Sequence, residues 1–301
     1  MRITIKDIGL ALSVPIIWGM GIVFAKAGLD EFPPLFLMSM RFIVAAVLLI
    51  WFFPPPTKQL GAIFLIALIS ATIQYGLTFY GLAGLDASTA VLFMQLEVPF
   101  STACAAIFLN DRLGWKRAGG MIIAFLGVGL IAGAPTLRDQ LFPAFLVIAG
   151  VLTWAIGQVM IKKMVEITGF HLIAWVSVFA GPQMLAVSLI LESDHFSLLK
   201  NASLIGWGSV IYMGIVMTAL GYGIWYHLLK KYDVNQVVPF LLLLPVTSIL
   251  GAVLFLGERP SIRILIGGLV VITGVAIIVM LDQHKTPDEI AATDKIVNRP
   301  R

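Results

Sequence analysis

The chain of 301 residues carries too little charge for a soluble protein of its size. Charged residues make up 12% of the sequence and hydrophobic residues 59%, whereas a soluble domain has about 25% charged residues. So few charges cannot coat a globular surface in water, and the composition predicts an integral membrane protein. The one long polar block, residues 282–301, is expected to be a solvated cytoplasmic tail.

Residue types that support catalysis are scarce as well. The single cysteine, Cys104, lies in an apolar run and excludes disulfide bonds within the chain. The histidines are scattered near segment ends and loops, at His171, His195, His227 and His284. No cluster of histidines and carboxylates, and no nucleophile beside a base, is visible in the sequence. We therefore expect no enzyme activity, no cofactor and no metal site.

Apolar stretches long enough to cross a bilayer occur throughout the rest of the chain. A helix crosses about 30 Å of hydrocarbon with roughly 20 apolar residues. The runs are continuous and do not alternate as barrel strands do, so they predict helices. The predicted spans are residues 7–27, 33–53, 60–82, 87–109, 117–134, 144–162, 170–191, 203–229, 234–256 and 263–281.

Lysine and arginine are unevenly divided between the two sets of segment ends. Fourteen lie on the side that holds the N-terminus and five on the other side. Because cytoplasmic loops are rich in these residues, the count predicts a multi-pass protein of the cell (inner) membrane with both termini in the cytoplasm. The net charge of +4 is therefore explained by topology, and we expect no nucleic-acid partner.

The sequence also repeats itself. Residues 18–26 read "WGMGIVFAK" and residues 154–162 read "WAIGQVMIK", with the tryptophan, one glycine, a valine and the lysine in register. At an offset of 147, Tyr75-Gly76 falls on Tyr222-Gly223 and "FLNDR" falls on "FLGER". Residues 1–139 and 140–281 thus form two five-helix halves. Because five is odd, the second half enters the membrane from the other side, which predicts inverted repeats.

These motifs carry a resemblance to a known family. Each half ends in an acidic and a basic residue, then a glycine pair and a Gly-Val, in "NDRLGWKRAGGMIIAFLGVGLIA" and "GERPSIRILIGGLVVITGVAIIV". The pattern resembles the EamA family of the drug/metabolite transporter superfamily over residues 7–281, although Asp111 stands where the pattern has glutamate. The resemblance implies export of small metabolites, with aromatic amino-acid exporters of the YddG type as the preferred members.

Polar and aromatic residues deep in the spans are candidates for a substrate cavity, because polar groups are costly in lipid. Amides and aromatic faces suit a small amphipathic solute, and a proline in each of the fourth and ninth spans predicts a helix break near the transport site. The alternatives are amides that only join helices and kinks without function. The candidate lining residues are Trp18, Gln74, Tyr75, Thr78, Gln95, Pro99, Trp154, Gln158, Tyr222, Trp225, Tyr226 and Pro245.

Two charged residues lie at the depth of the membrane centre, Arg41 and Glu97. An unpaired charge there costs at least about 3 kcal/mol. Glu97 either pairs with Arg41 as a static bridge, which we favour, or carries protons during transport. A channel would need a charged ring or a carbonyl filter, and neither is visible.

The residues and the family resemblance together predict a membrane transporter that exports small amphipathic metabolites, most simply aromatic or neutral amino acids. We expect it to work by alternating access through a central cavity between the inverted repeats. The alternative is a proton-coupled drug or solute exporter of the same architecture. The glycine rows at 120 and 127 and at 267 and 274 are expected to pack the fifth span against the tenth. The expected partners are a small-molecule substrate and the lipid bilayer, with the protein as a monomer.

Overall fold

The chain folds into ten helices that are long and apolar enough to span a membrane. The computed structural model describes residues 4–108, 114–162, 164, 167, 169–232 and 237–282, with only the backbone described at 136, 226, 229, 230, 281 and 282. The predicted tail beyond residue 282 lies outside these residues. The helices are α1 (Ile5–Leu29), α2 (Pro34–Phe52), α3 (Leu60–Ala83), α4 (Ala87–Phe108), α5 (Trp115–Ala132), α6 (Leu137–Lys162), α7 (Gly169–Leu191), α8 (Leu204–Trp225), α9 (Val238–Phe255) and α10 (Ile262–Met280).

The first helix of each half packs into the other half. α6 lies between α3 and α4 of the first half, and α1 lies correspondingly between α8 and α9 of the second. α2 packs on α7, and α5 packs on α10. The predicted ten-helix fold with two inverted repeats is confirmed, and the repeated tryptophan motif belongs to the two helices that are exchanged. We call the side of the bundle where α1 begins the amino-terminal face and the other side the opposite face.

Matching helices of the two halves are irregular at matching places. α3 contains a π-helical stretch at Leu68–Ile73 and α8 contains one at Tyr212–Gly221. α4 is divided into Ala87–Met94 and Glu97–Phe108, while α9 starts with a 3₁₀ stretch, Val238–Leu243, before its α-helical part Leu244–Phe255. Such wide or broken turns leave backbone groups without regular partners and are frequent at functional sites.

The breaks in α4 and α9 occur close to the prolines that predicted them. Pro99 lies in the first turn of the second part of α4, and Pro245 lies in the first turn of the α-helical part of α9. A proline has no N–H for the turn before it and clashes with that turn, so the regular helix can begin only about where the proline stands. Both prolines are buried.

Glycines allow α5 and α10 to approach closely. A Cβ atom added at Gly127 would lie 2.6 Å from the backbone nitrogen of Val271, and one at Gly274 would lie 2.5 Å from that of Ala124. Gly120 and Gly267 face the partner helix in the same way. The prediction that the glycine rows pack the fifth span against the tenth is confirmed. These two helices lie beside the central group formed by α1, α3, α4, α6, α8 and α9.

Candidate substrate-binding site

One strip of α6 faces the interior between α3 and α4. Phe145, Leu152 and Ile156 are exposed, with 38% to 63% of their surface accessible, and they mark the lipid-facing side of this helix. Trp154 and Gln158 lie one turn apart on the inward side, and both are half-buried. The structure gives neither side chain a hydrogen bond to another described residue. A tryptophan and an amide without partners thus face the centre of the bundle.

α3 supplies the wall on one side of that strip. Gly150 of α6 has no side chain, so α6 can lie directly against the backbone carbonyl oxygen of Gln74 and the side-chain hydroxyl of Thr78. The Gln74 amide nitrogen donates to Thr78 Oγ1 at 3.1 Å. Its carbonyl oxygen, Oε1, is buried without a hydrogen-bond partner, and the whole residue is only 8% exposed. A buried acceptor of this kind is costly to leave unpaired.

α4 supplies the wall on the other side. Cys104 packs on Ala155 and Val159 of α6. Glu97 is seven residues before Cys104 and therefore lies on the same strip of α4, which faces α6. The Glu97 side chain is not covered by other residues, although it stands midway along its span. Gln95 precedes it at the break in the helix and is buried, at 8% exposure. Neighbouring side chains therefore leave the Glu97 side chain uncovered at this break in α4.

The corresponding pocket of the second half is apolar. At the offset of 147, Gln74 corresponds to Gly221 and Thr78 to Trp225. Trp18 occupies the room at Gly221, where an added Cβ would lie 2.5 Å from the indole nitrogen. This nitrogen donates to the carbonyl oxygen of Met217 at 3.2 Å. The described part of the chain therefore presents an unpaired amide oxygen from one half and a hydrogen-bonded indole from the other.

Aromatic rings line this second pocket. The ring centroid of Trp18 lies 5.1 Å from that of Tyr222 and 5.8 Å from that of Trp225. Val14 of α1, Leu228 and Phe240 pack around the same cluster. Tilted aromatic pairs at these distances are favourable beyond the area they bury. The side chain of Tyr226, which the sequence predicted for the lining, lies outside the described part of the chain.

Arg41 does not form the predicted ion pair with Glu97. Its guanidinium nitrogen Nε donates to Thr218 Oγ1 at 3.2 Å, and a terminal nitrogen lies 3.5 Å from the Tyr75 hydroxyl. The guanidinium carbon also stands 4.8 Å from the centre of the Tyr75 ring and 5.2 Å from that of Phe42. Arg41 is 1% exposed. It is held among α2, α3 and α8, and these neutral partners and ring faces take the place of a carboxylate.

Tyr75 is therefore turned away from the neighbouring Gln74. Consecutive residues of a helix point about 100° apart, so Tyr75 faces α2 while Gln74 faces α6. Of the residues predicted to line one cavity, Gln74 and Thr78 are bonded to each other and lie against α6 at Gly150. Trp154 and Gln158 follow Gly150 on the inward side of α6, and Gln95 is buried at the break in α4. Trp18, Tyr222 and Trp225 form the aromatic cluster of the other half. Pro99 and Pro245 shape the breaks beside the two pockets.

Carboxylates close the opposite face by capping helices from other parts of the chain. Glu192, at the end of α7, accepts hydrogen bonds from the backbone N–H groups of Leu35 and Phe36, both at 2.9 Å. These are free N–H groups of the first turn of α2, where a negative charge is favoured. Glu258 and Glu31 make the same type of contact with two further helices. Together the three residues form what we call the carboxylate caps.

Glu258 and Glu31 connect the two halves. Glu258 follows α9 and accepts from the N–H groups of Ala87 at 2.6 Å and Ser88 at 2.9 Å, at the start of α4. Glu31 follows α1 and accepts from the N–H and hydroxyl groups of Ser203, at the start of α8. These hydrogen bonds hold the pKa of the Glu31 carboxyl below its ordinary value. The first part of α4 also packs on the second part of α9, which completes the closure.

Sequence reasoning missed the carboxylate caps. Glu258 belongs to the "FLGER" motif, which indicated a repeat but not a role. Glu31 and Glu192 carry no motif at all. The groups they bind are backbone N–H groups, which every residue except proline possesses, so the partner leaves no trace in the sequence. An acidic residue just after an apolar run was the one available signal.

Ten spans, exchanged first helices and an unpaired amide oxygen among the described residues of the interior are typical of a membrane transporter built from inverted repeats. The model of the EamA-like transporter family matches residues 5–133 and again residues 141–280. The chain belongs to the EamA-like transporter family. A solved crystal structure with 15% sequence identity superposes with a TM-score of 0.63, over 93% of this chain and 99% of the other, and shows the same fold.

Three curated relatives carry names that describe export. The chain is 31% identical over 281 residues to a Salmonella typhimurium protein named "Probable amino-acid metabolite efflux pump", which covers 90% of this chain and 94% of that protein. An Escherichia coli protein of the same name is 30% identical over 282 residues, with the same coverage. A Streptantibioticus cattleyicolor protein named "Probable terminal-alkyne amino-acid exporter" is 26% identical over 276 residues, covering 89% and 91%.

Proposed function

We propose that the protein exports small amphipathic metabolites, amino acids or their derivatives among them, across the cell (inner) membrane by alternating access. The observation that carries the proposal is the contrast between the two related pockets. One offers the unpaired Oε1 of Gln74, together with Trp154 and Gln158 on the inward strip of α6, and the other offers the aromatic cluster around Trp18. A solute with a polar end and an apolar end matches both.

The closed face gives the proposal a direction. The carboxylate caps and the contact between α4 and α9 close the opposite face, whereas Glu97 stays exposed below them. The excess of lysine and arginine on the amino-terminal face supports a cytoplasmic location for that face. We therefore propose that this conformation receives substrate from the cytoplasm. Release would require the caps to separate, since they join helices that must part for the opposite face to open.

The protein is proposed to act as a monomer. Glycine rows of the kind found at Gly120, Gly127, Gly267 and Gly274 can pair helices of two molecules. Here all four face the partner helix within one molecule, α5 against α10. The surface that would support a glycine-mediated dimer is therefore already used.

Transport by purified protein in proteoliposomes tests the proposal. We expect counterflow of aromatic or neutral amino acids or their derivatives. Replacing Trp154 or Gln158 with alanine should lower transport while the folded yield stays close to wild type, because a cavity wall loses contacts with the ligand and little helix packing. Matched controls are Trp51→Ala, at an 82% exposed position, and Gln140→Ala, in the turn before the regular part of α6.

Two outcomes would contradict this assignment. Absence of counterflow by folded wild-type protein with any compound of the panel would remove the proposed function. Equal losses in the Trp154 and Trp51 variants would show that the interior strip has no special role.

A proton-coupled exporter is the second candidate, and one observation favours it. Glu97 has no ion-pair partner among the described residues, and its side chain is not covered by neighbouring residues. A carboxylate without a fixed partner at this depth could carry protons during transport. In that case an imposed pH gradient accelerates transport by the wild type. The Glu97→Gln variant loses this acceleration and keeps exchange without a gradient. Transport that ignores the gradient would instead indicate movement down the gradient of the substrate itself.

A further inference from the structure

We propose that Lys26 and Lys162, the lysines that end the repeated tryptophan motif, are alternating latches of the two faces. Each one closes its face by binding the carbonyl end of a helix in the other bundle, where α1, α8 and α9 are the α1 bundle and α3, α4 and α6 are the α6 bundle. Lys26 is engaged in this conformation, and Lys162 engages when the amino-terminal face closes. The inference rests on the proposed function, because only a transporter that alternates needs both latches.

Lys26 joins the two bundles at the opposite face. Its ammonium group donates to the backbone carbonyl oxygens of Leu82 and Ala83, both at 3.0 Å. These residues form the end of α3, where carbonyl groups lack the regular N–H partner four residues further on. The backbone dipoles also favour a cation at this end of a helix. Because Lys26 belongs to α1, its hydrogen bonds run from the α1 bundle to the α6 bundle.

Glu258 holds the same turn of the α6 bundle with the opposite charge. α4 begins at Ala87, four residues after α3 ends at Ala83. Glu258 follows α9 and accepts from the N–H groups of Ala87 and Ser88. The α1 bundle thus places an ammonium group on the carbonyl end of α3 and a carboxylate on the N–H end of α4. Each charge suits the helix end that it meets, and opening this face must break both contacts.

Lys162 is the counterpart of Lys26 and is not engaged. The offset of 136 that relates Trp18 to Trp154 also relates the two lysines. Lys162 is the last residue of α6, at the amino-terminal face, and it is exposed. The structure gives it no hydrogen bond to another described residue. The two equivalent lysines therefore differ: the one at the closed face is bound, and the one at the other face is not.

The second latch also has a counterpart for its partner. At the offset of 147, the carbonyl groups that bind Lys26 correspond to those of residues 229 and 230. They lie in the last turn of the helix that continues α8, Tyr222–Lys231, which belongs to the α1 bundle. Asp7 of α1 binds Lys231 at 2.7 Å, so part of the positive charge at this helix end is already balanced. A lysine from the α6 bundle can thus bind here.

An inverted repeat explains why one latch is open while the other is closed. When the two bundles rock against each other, a contact made at one face is exchanged for its counterpart at the other face. Lysine suits this exchange, because its long flexible stem carries a compact charge with three donors that water solvates well after release. The two latches therefore compete, and their balance sets how often each face is open.

Spin-label distances in proteoliposomes, measured without substrate on full-length protein carrying Cys104→Ala, test this balance. Labels at positions 138 and 204 lie on different bundles at the opposite face, and labels at 5 and 58 do so at the amino-terminal face. All four positions are exposed. Lys26→Met should raise the ratio of molecules open at the opposite face to molecules closed there about tenfold or more, because charge-assisted hydrogen bonds are lost from one state only.

The double variant gives the decisive result. Lys162→Met removes the latch of the other state, so Lys26→Met combined with Lys162→Met should return the ratio to within about threefold of wild type. Matched controls are Lys200→Met and Lys116→Met, which change exposed lysines at the opposite and the amino-terminal face. Combined with Lys26→Met, neither should reverse the shift. A double variant that keeps the full shift of Lys26→Met overturns the proposal, as does a Lys26→Met variant with wild-type distances.

A second opening change covers poor folding of Lys26→Met. Glu258→Gln weakens the other contact with the same turn, and Lys162→Met must again reverse the shift; failure to do so overturns the latches. Counterflow of an amino-acid panel by the wild type keeps this test separate from the proposed function. Wild-type counterflow without the expected shifts overturns the latches alone, whereas absence of counterflow with any compound overturns the proposed function, whatever the distances show.

Discussion

Two glycines of α5 allow a test of its packing on α10, because Gly127 lies against the α10 backbone and Gly129 does not. An alanine Cβ at Gly127 would lie 2.6 Å from the nitrogen of Val271 and 2.8 Å from the carbonyl oxygen of Gly267. Ordinary contacts begin near 3.4 Å, and both of these atoms belong to the backbone of α10. An alanine Cβ at Gly129 would meet nothing within 4 Å.

The two variants share every effect except this contact. Each gains about 0.8–1.0 kcal/mol from the higher helix propensity of alanine. Gly127→Ala must in addition push α10 away, and overpacking of this kind costs typically about 1–3 kcal/mol. Gly127→Ala should therefore be less stable than Gly129→Ala by about 1–3 kcal/mol, since the shared gain cancels in the comparison.

Thermal unfolding of the purified variants in one detergent measures the difference. At about 2–4 °C for each kcal/mol, the melting temperature of Gly127→Ala should lie about 2–12 °C below that of Gly129→Ala. Gly129→Ala should also retain wild-type transport per folded molecule. Equal melting temperatures for the two variants would refute the packing of α5 on α10 described above. A loss confined to Gly129→Ala would place that face of α5 against a partner.

Three further results are expected. For topology, a single cysteine at position 138 should react with an impermeant reagent added outside cells while one at position 58 should not, and the reverse would invert the molecule. For the central charges, Arg41→Met and Glu97→Gln should have additive effects on stability, because the two groups share no contact; a large coupling energy in the double-mutant cycle would restore the ion pair. For pH, the pKa of Glu31 is lower in the folded protein than in the unfolded chain, where it is near 4.3. The hydrogen bonds of Glu31 to Ser203 therefore stabilise the fold fully above the unfolded pKa, and this stabilisation is lost as the pH falls through the folded pKa. Glu31→Gln should therefore flatten the acid side of a plot of melting temperature against pH, and an unchanged acid side would contradict this.

The sequence predicted the framework because its signals are local or periodic. Ten apolar runs follow from helix length, and the predicted span 87–109 matches Ala87–Phe108 almost residue for residue. The paired motifs around Trp18 and Trp154 revealed the inverted repeat. Gln74 and Thr78, one turn apart, were expected on one helix face and form a hydrogen bond. Each of these inferences needed only spacing along the chain.

The direction in which each side chain points around its helix axis could not be predicted from the sequence. Arg41 and Glu97 share a membrane depth, and depth alone suggested that they meet. The π-helical stretch Tyr212–Gly221 brings Thr218 to Arg41 instead, with the Thr218 hydroxyl donating to the Met213 carbonyl five residues earlier at 2.7 Å. A wide turn shifts every later side chain around the axis, and no periodic pattern shows where one will occur.

The exchange of first helices has a consequence for how the protein is made. α1 packs on α8 and α9, which leave the ribosome roughly 200 residues after it, so its partners appear about 10–40 s later at 5–20 residues per second. α6 meets the opposite situation, because α3 and α4 are already in the membrane when it arrives. During synthesis the face of α1 that carries Trp18 must therefore contact lipid or a membrane chaperone until α8 and α9 are inserted. The first half cannot reach its final arrangement alone. A chain that stops after α7 should expose this face and be recognised as unfinished.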